Sequence, residues 1–368
     1  MNNYFCVLPF FGYEYSADNF VANKETHCCL LPKDYNIDSI KNDMLKGKRS
    51  PFCKACWDLE DLNLISDRQI KNSALDFHWD RDINLIEEDA KKGNYKPIMI
   101  KNITSSTCNS TCVTCSSSSS SAWAPLESKM GLVPDLPWSM TKKEIFQNLN
   151  FKEIVMLNFG GGEPLYEKLN FYILEKLIEN NNTGCFISIT TNGSVNINDQ
   201  NKELIKKFKN INFNVSIDGV GPVFEYLRYP LKWDKLLENL EFFRSITDNV
   251  NVSNTTSNLN ILYYHETAAW FEKQGLKYHY NPVTYPSYFS PSALPKLIKN
   301  KLLDKHNYAK EMEFFIGKPH TKKDDLDYEK MLEAIKKQDR VKGISIQDYL
   351  PEFCSMLDTL PQKYPRLG

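Results

Sequence analysis

The chain has 368 residues, 42% of them hydrophobic, and a formal net charge of -1, enough length for one large domain with an appendage or for two mid-sized domains. The near-neutral charge argues against a general nucleic-acid binder, which carries a basic excess. No apolar run reaches the roughly 20 residues that span a bilayer, and MNNYFCVLPFFGYEYSADN lacks the basic start and apolar run of a signal peptide, so the chain is expected to be soluble and cytoplasmic, with no membrane partner.

In chain order, residues 1 to about 72 read as short strands and turns around a first group of cysteines, with DSIKNDMLKG as a short amphipathic helix. Residues 76–96 are polar and charged and read as a connector. From Pro97 the pattern changes: PIMIKNITSST is a buried-type strand that leads into a second group of cysteines. Strand-like and helix-like runs then alternate. The predicted strands are KEIVMLNFG, CFISITTNG, INFNVSIDG, NVNVSNTTS and KYHYNPVTYP, and between them lie helices such as LNFYILEKLIENN and KWDKLLENLEFFRSI. Strands alternating with helices imply parallel β-α units, and about six such units close most naturally as a partial (β/α)6 barrel of the TIM type. The expected organisation is therefore 1–75 a cysteine-rich domain, 76–96 a connector, 97–291 an α/β partial barrel and 292–368 a lysine-rich helical extension without a chemical motif. The run Ser116–Ser121 reads as a flexible linker by composition, but its place behind a cysteine group suggests a loop-to-helix turn.

Ten cysteines fall at 6, 28, 29, 53, 56, 108, 112, 115, 185 and 354. In a cytosolic chain of this size, clustered cysteines favour metal over disulfides. Cys185 and Cys354 stand apart and read as buried small hydrophobes, Cys354 on a C-terminal helix face. Cys108-Asn-Ser-Thr-Cys112-Val-Thr-Cys115 has the spacing C-x3-C-x2-C just past the first barrel strand. Three thiolates in one tight loop suit three corners of a [4Fe–4S] cluster, with the fourth iron open to a small-molecule ligand. Zinc or a redox-sensing group are the alternatives, but structural zinc wants a fourth protein ligand, and none is obvious nearby. Cys6, Cys28, Cys29, Cys53 and Cys56 supply four or five further thiolates, a zinc-ribbon or iron–sulfur signal that composition leaves open.

The C-x3-C-x2-C loop resembles the signature of the radical SAM superfamily, whose members cleave S-adenosylmethionine (SAM) reductively to a 5′-deoxyadenosyl radical that abstracts hydrogen from a substrate. One departure is Thr114, where that family often has an aromatic residue; Val113 or Trp123 is the expected substitute for its apolar surface. Further segments, each at a predicted strand end, follow in the family's order. Gly161-Gly162-Glu163-Pro164 looks like the motif whose backbone holds the methionyl ammonium of SAM. Thr190-Thr191-Asn192-Gly193 offers Asn192 to a ribose hydroxyl. Ser216-Ile217-Asp218-Gly219, with Glu225 and Arg228, resembles a stretch in which the serine meets the ribose or carboxylate of SAM and the arginine pairs with the carboxylate. Asn254–Asn260 and Val283 fall where the family completes its adenine pocket. Without the resemblance, Arg228 reads as a surface ion pair with Glu225, and the glycines as ordinary strand-to-helix turns. The first cysteine group looks like a SPASM or twitch auxiliary-cluster module placed before the barrel, which would make Cys6, Cys29, Cys53 and Cys56 ligands of a second [4Fe–4S] cluster, with Cys28 competing for Cys29's place. The resemblance thus implies two clusters, SAM, a flavodoxin or ferredoxin as electron donor, and a substrate that is a peptide or protein side chain or, alternatively, a small molecule such as an amino sugar or nucleoside. The reading from another class is a non-enzymatic zinc or electron-transfer protein.

Overall fold

A computed structural model describes residues 4–16, 28, 30–32, 34–79, 82–139, 146–305 and 308–367. Its elements, in order, are α1 (Leu8–Phe11), β1 (Gly12–Ser16), α2 (Ile37–Leu45), α3 (Lys54–Asp61), α4 (Asp67–Trp79), α5 (Ile83–Lys91), β2 (Met99–Ile103), α6 (Ala124–Lys129), β3 (Met156–Phe159), α7 (Lys168–Glu179), β4 (Phe186–Thr191), α8 (Asp199–Ile205), β5 (Ile211–Ser216), α9 (Pro222–Leu227), α10 (Trp233–Ile246), β6 (Val250–Thr256), α11 (Tyr264–Lys273), β7 (Lys277–Pro282), α12 (Lys296–Lys305), α13 (Lys310–Ile316), α14 (Lys322–Lys342), α15 (Ile346–Tyr349) and α16 (Pro351–Asp358). The seven strands form a parallel α/β sheet in the order β1 to β7, the sequential order of a (β/α) barrel-type sheet. None of the described helices is long and apolar enough to cross a membrane.

Three sequence expectations need correction. Among the described residues the sheet has seven strands and not six, because the N-terminal segment Gly12–Ser16 pairs with β2 in parallel from Gly12↔Met99 to Ser16↔Ile103. Residues 1–72 are mainly helical where they are described, not short strands. The 76–96 connector holds the end of α4 and all of α5, whose Ile83, Ile86 and Ala90 bury one side of a polar helix. The amphipathic spacing there was diluted by Glu, Asp and Lys on the other side.

The chain divides into two compact units. The first takes in Met1–Ser105, Ser139–Thr190 and Ile197–Asn212; the second takes in Ser106–Trp138, Thr191–Asn196 and Phe213–Gly368. The core of the first unit joins Phe5, Leu8, Phe10 and Phe11 to Ile40, Met44, Leu75, Ile86 and Met99. In the second unit the core runs from Val113 and Leu227 through Leu259 and Ile298 to Met331, Ile335 and Phe353, so the C-terminal helices share a core with the cysteine loop.

The strands have two chemically distinct faces. In the first unit Asn102 Nδ2 donates to Asn170 Oδ1 on α7 at 2.6 Å, which marks the helix side. In the second, Phe213 stacks on Phe243 of α10, and Tyr280 on Tyr264 of α11. Alternation along each strand turns the other residues away from the helices. On β5 and β6 these are Asn214, Ser216, Asn251, Ser253 and Thr255, all partly open to solvent.

Candidate functional site: a braced cysteine loop and a cysteine-lined pocket

Cys108, Cys112 and Cys115 lie on one loop of the second unit. Cys108 Sγ and Cys112 Sγ both contact the hydroxyl of Ser110, at 3.2 and 3.4 Å, and Cys115 Sγ lies 3.6 Å from Ser116 O. Burial pushes the Cys115 thiol up to about 12, with the nearby Cys112 adding to it. Burial also raises Cys112, against the charge of Arg228. Among the described residues no three His, Cys, Asp or Glu side chains converge on a single ion. A lone zinc needs its thiolates about 2.3 Å from one point, whereas a cubane spreads its ligands over separate irons. Three thiols on one loop are a donor set that suits the separate irons of such a cluster.

The serine run is structural. Ser120 Oγ donates to Ser110 O at 2.6 Å, and Ser121 Oγ accepts from the Cys108 N–H at 3.2 Å. Ser117 binds the buried Glu127 through its N–H at 2.8 Å and through its hydroxyl. Behind it α6 begins at Ala124, so the loop-to-helix turn is observed. Trp123, 2% exposed, donates from Nε1 to Cys112 O at 3.1 Å, and Val113 is equally buried.

The loop's backbone is fixed on both sides. Thr111 N–H donates to Tyr229 O at 2.6 Å and Val113 N–H to Leu227 O at 2.8 Å. From α14, Lys342 Nζ donates to Thr111 O at 2.8 Å and Gln338 Nε2 to Val113 O at 3.0 Å. Burial lowers Lys342 to about 8, against the pull of Cys112. Sequence reading passed over both residues. The available signal was the helix itself: Thr321 and Asp324 form a capping box, Gly343 closes the C-terminus, and the buried stripe Tyr328, Met331, Leu332 and Ile335 continues through Gln338 and Lys342.

Other expected site residues meet this loop. Asn192 Nδ2 donates to Asn109 Oδ1 at 2.7 Å and lies 3.9 Å from Cys108 Sγ, while its Oδ1 accepts from the Ser194 N–H at 3.0 Å. Thr191 Oγ1 accepts the Gly193 N–H at 3.1 Å, which forms the turn. Arg228 is not a surface partner of Glu225, whose carboxylate binds Lys232 and the Trp233 N–H. Instead its buried guanidinium faces Asp218, with Nη2 to Oδ1 at 3.0 Å and Nε to Oδ2 at 2.8 Å, and Nη1 lies 3.9 Å from Cys112 Sγ. Burial works against its charge, but Asp218, Cys112 and Cys108 together more than offset this and the pKa is raised. Asp218 Oδ1 also accepts the Thr255 N–H at 2.8 Å. Asn254 donates to Ile217 O at 2.9 Å, and Asn260 donates to Asp218 O at 2.7 Å and to Thr255 O at 2.9 Å. Val283 is buried in the same core as Val113. Ser216 ends β5 on the face turned away from the helices.

The motif Gly161–Pro164 belongs to the first unit. Gly160 N–H donates to Asn102 O at 3.0 Å and Gly162 N–H to Ser105 O at 2.9 Å. Gly161 has φ +107°, and a Cβ there would stand 2.7 Å from Ser105 O, so only glycine fits. Glu163 is buried and caps the turn after it by accepting the Leu165 N–H at 3.1 Å.

The first unit also holds a pocket lined by Cys6, Cys28, Cys53 and Cys56. Cys29 lies outside the described residues, and Cys28 is the member of the adjacent pair found in the lining. Burial pushes Cys53 up to about 12, with Cys28 and Cys56 adding to it, and raises Cys6 well above its usual range. Arg68 stands at this pocket, with Nη1 to Phe5 O at 2.7 Å and Nη2 to Glu60 Oε2 at 2.8 Å. Cys185 and Cys354 are buried, Cys354 within α16.

No curated protein matches the chain. Among solved structures it is similar to native anSMEcpe with bound AdoMet, at 19% identity over 56% of this chain and 59% of that one, with a TM-score of 0.40. It is also similar to anSMEcpe with bound AdoMet and Kp18Cys peptide (16%, 67% and 62%, 0.40), and to Streptococcus suis SuiB bound to S-adenosylmethionine (12%, 80% and 72%, 0.41). The chain thus spans about three-fifths of the anSMEcpe structures it matches. Residues 102–273 match the model of the Radical SAM superfamily, and this matched stretch carries the cysteine loop, the Gly161–Pro164 turn and Arg228.

Proposed function

We propose that the chain is a radical SAM enzyme that holds a [4Fe–4S] cluster on Cys108, Cys112 and Cys115, binds SAM beside it, and modifies a peptide or protein side chain. The observation that carries this reading is the loop itself: three cysteines on one braced turn within the matched stretch. With the cluster bound, one electron breaks the sulfur–C5′ bond of SAM and so generates the radical that abstracts hydrogen from the substrate. The chain's own residues hold and orient. Ser110, Ser120, Ser121 and Trp123 fix the loop; Asn192 stands beside Cys108, and a ribose hydroxyl would share or displace the bonds its amide makes to Asn109 and Ser194. Because Asp218 already engages Arg228, the SAM carboxylate would meet the Nη1 side of the guanidinium or displace Asp218 from it.

The four cysteines of the first unit's pocket are proposed to hold a second cluster, which would accept an electron from the substrate radical and so complete an oxidation. Their shared pocket supports this; the same donor set also suits zinc. Residues 1–75 would then serve as a SPASM- or twitch-like module, and a flavodoxin or ferredoxin would be the donor. A second substrate reading, an amino sugar or nucleoside, is favoured by the polar face of β5 and β6, whose amides and hydroxyls suit a hydroxylated ligand.

Anaerobic reconstitution with iron and sulfide, then SAM and dithionite, tests the reading by assaying 5′-deoxyadenosine. The wild type should form it. A variant with Cys108, Cys112 and Cys115 all changed to Ala should form none while keeping roughly half the iron, held by the other thiolates. A colourless zinc protein, or an iron protein that leaves SAM intact, overturns the enzyme reading.

A further inference from the structure

Three successive carbonyls of the cysteine loop each receive a buried side-chain donor. Thr111 O receives Lys342 Nζ, Cys112 O receives Trp123 Nε1, and Val113 O receives Gln338 Nε2. Lys342 Nζ also donates to Gln338 Oε1 at 3.0 Å and lies 4.6 Å from the centre of the Trp123 ring. Only 8% of Lys342 is exposed.

Taking an ammonium out of water is costly unless an opposite charge stands near it. Both hydrogen-bond acceptors of Lys342 are neutral oxygens. Asp339, one turn earlier on α14, directs its carboxylate to the Tyr226 hydroxyl and the Ile346 N–H, each at 2.8 Å. The helix C-terminus, where Lys342 sits, offers only partial negative charge. Arg228, the other cation by the loop, has its charge offset by Asp218. Among the described residues Lys342 is thus a cation on this loop without an ion-pair partner, and the anions whose charge acts on it are Cys112 and Cys115 as thiolates and, one turn away, Asp339.

We infer that Lys342 is a positioning residue for the cysteine loop whose positive charge also makes electron uptake at the Cys108/Cys112/Cys115 site easier. The inference rests on the cluster reading above. One electron from a donor of the flavodoxin or ferredoxin class adds one negative charge to the thiolate-bound group, and no bond to the protein forms or breaks. A buried positive charge nearby lowers the energy of that added charge, and net charge and hydrogen bonding are what set such potentials.

The test reconstitutes the full chain as wild type and as Lys342→Met, Lys342→Gln and Lys342→Arg. It measures iron content and the midpoint potential of the iron–sulfur signal that responds to added SAM. Lys342→Gln keeps a donor for Thr111 O but loses the charge, and Lys342→Arg keeps the charge. The expected result is a more negative midpoint for Gln and Met and a midpoint near wild type for Arg. If both neutral variants lose iron while Arg retains it, the charge is again what the site needs. A Gln variant that holds iron at the wild-type potential overturns the inference, as does loss of iron in Arg together with Gln and Met, since the role is then one of shape alone. A wild type without any SAM-responsive iron signal fails the cluster reading itself, a result distinct from all of these.

Discussion

Around Cys108, Cys112 and Cys115 the surroundings are polar and closely bonded: serine hydroxyls, an indole N–H, an amide, a lysine and an arginine–aspartate pair. Around Cys6, Cys28, Cys53 and Cys56 they are largely apolar, with Leu8, Leu31, Ile40 and Met44 in the lining. Arg68, the cation at that pocket, is turned to Glu60 and Phe5 O. The same thiols therefore sit in two electrostatic settings. The loop places hydrogen-bond donors and positive charge where added negative charge would go. In the pocket burial dominates, with Cys28 and Cys56 adding to the rise of Cys53 and Arg68 opposing it. A site of the first kind suits the acceptance of electrons and a ligand; one of the second suits insulation.

The contrast can be broken most forcefully at Arg228. Its replacement by Met leaves Asp218 buried without a counter-charge, and loss of a buried partner costs roughly 3–5 kcal/mol; the apo protein's denaturation midpoint should fall accordingly, and the additional change Asp218→Asn should recover part of the loss. In the apolar pocket the corresponding weak point is packing. Met44, 1% exposed, changed to Ala should cost about 2–5 kcal/mol and let alkylating reagents reach Cys6 and Cys53 faster, as counted by mass spectrometry. Ser120→Ala removes one hydroxyl-to-carbonyl bond beneath the loop and should cost about 1 kcal/mol, with the thiols of the pocket unaffected in their alkylation rates. A further effect, confined to alkaline conditions, is on pH. Cys53 and Cys115 have folded-state values raised to about 12, above the roughly 8.5 of an unfolded thiol. Their contribution is thus fully present below about pH 8.5 and is lost as pH rises towards 12. Stability of the apo form should decline across that window, and Cys53→Ala should decline less.

Much of the barrel was legible because strands β3 to β6 carry apolar residues and are followed within three residues by glycine or asparagine, and the helices between them repeat at the α-helical period. β1 was not, since Gly-Tyr-Glu-Tyr-Ser has no apolar run and becomes a strand through its pairing with β2. The cysteines declared themselves by spacing. Their braces did not: Lys342 is one lysine among many on a lysine-rich helix, and a sequence shows that such a residue is charged without showing that tertiary packing buries it. Arg228 was singled out correctly as a residue of interest, but its contact with Asp218, ten positions earlier, depends on how the chain turns after β5. The cysteine pair at 28 and 29 was left open for a similar reason, since neighbours in a chain point in different directions once the backbone is fixed.

Strand β1 has one further consequence, for anyone who trims this protein. Gly12–Ser16 comes from the segment that also carries Cys6, and it covers the outer edge of β2. Cutting the chain near residue 75 to obtain a minimal barrel would remove that cover and bare the backbone N–H and C=O groups of Met99–Ile103 as an unpaired edge, a template for self-association. Loss of solubility on such truncation would then report a missing strand and would say nothing about a missing metal.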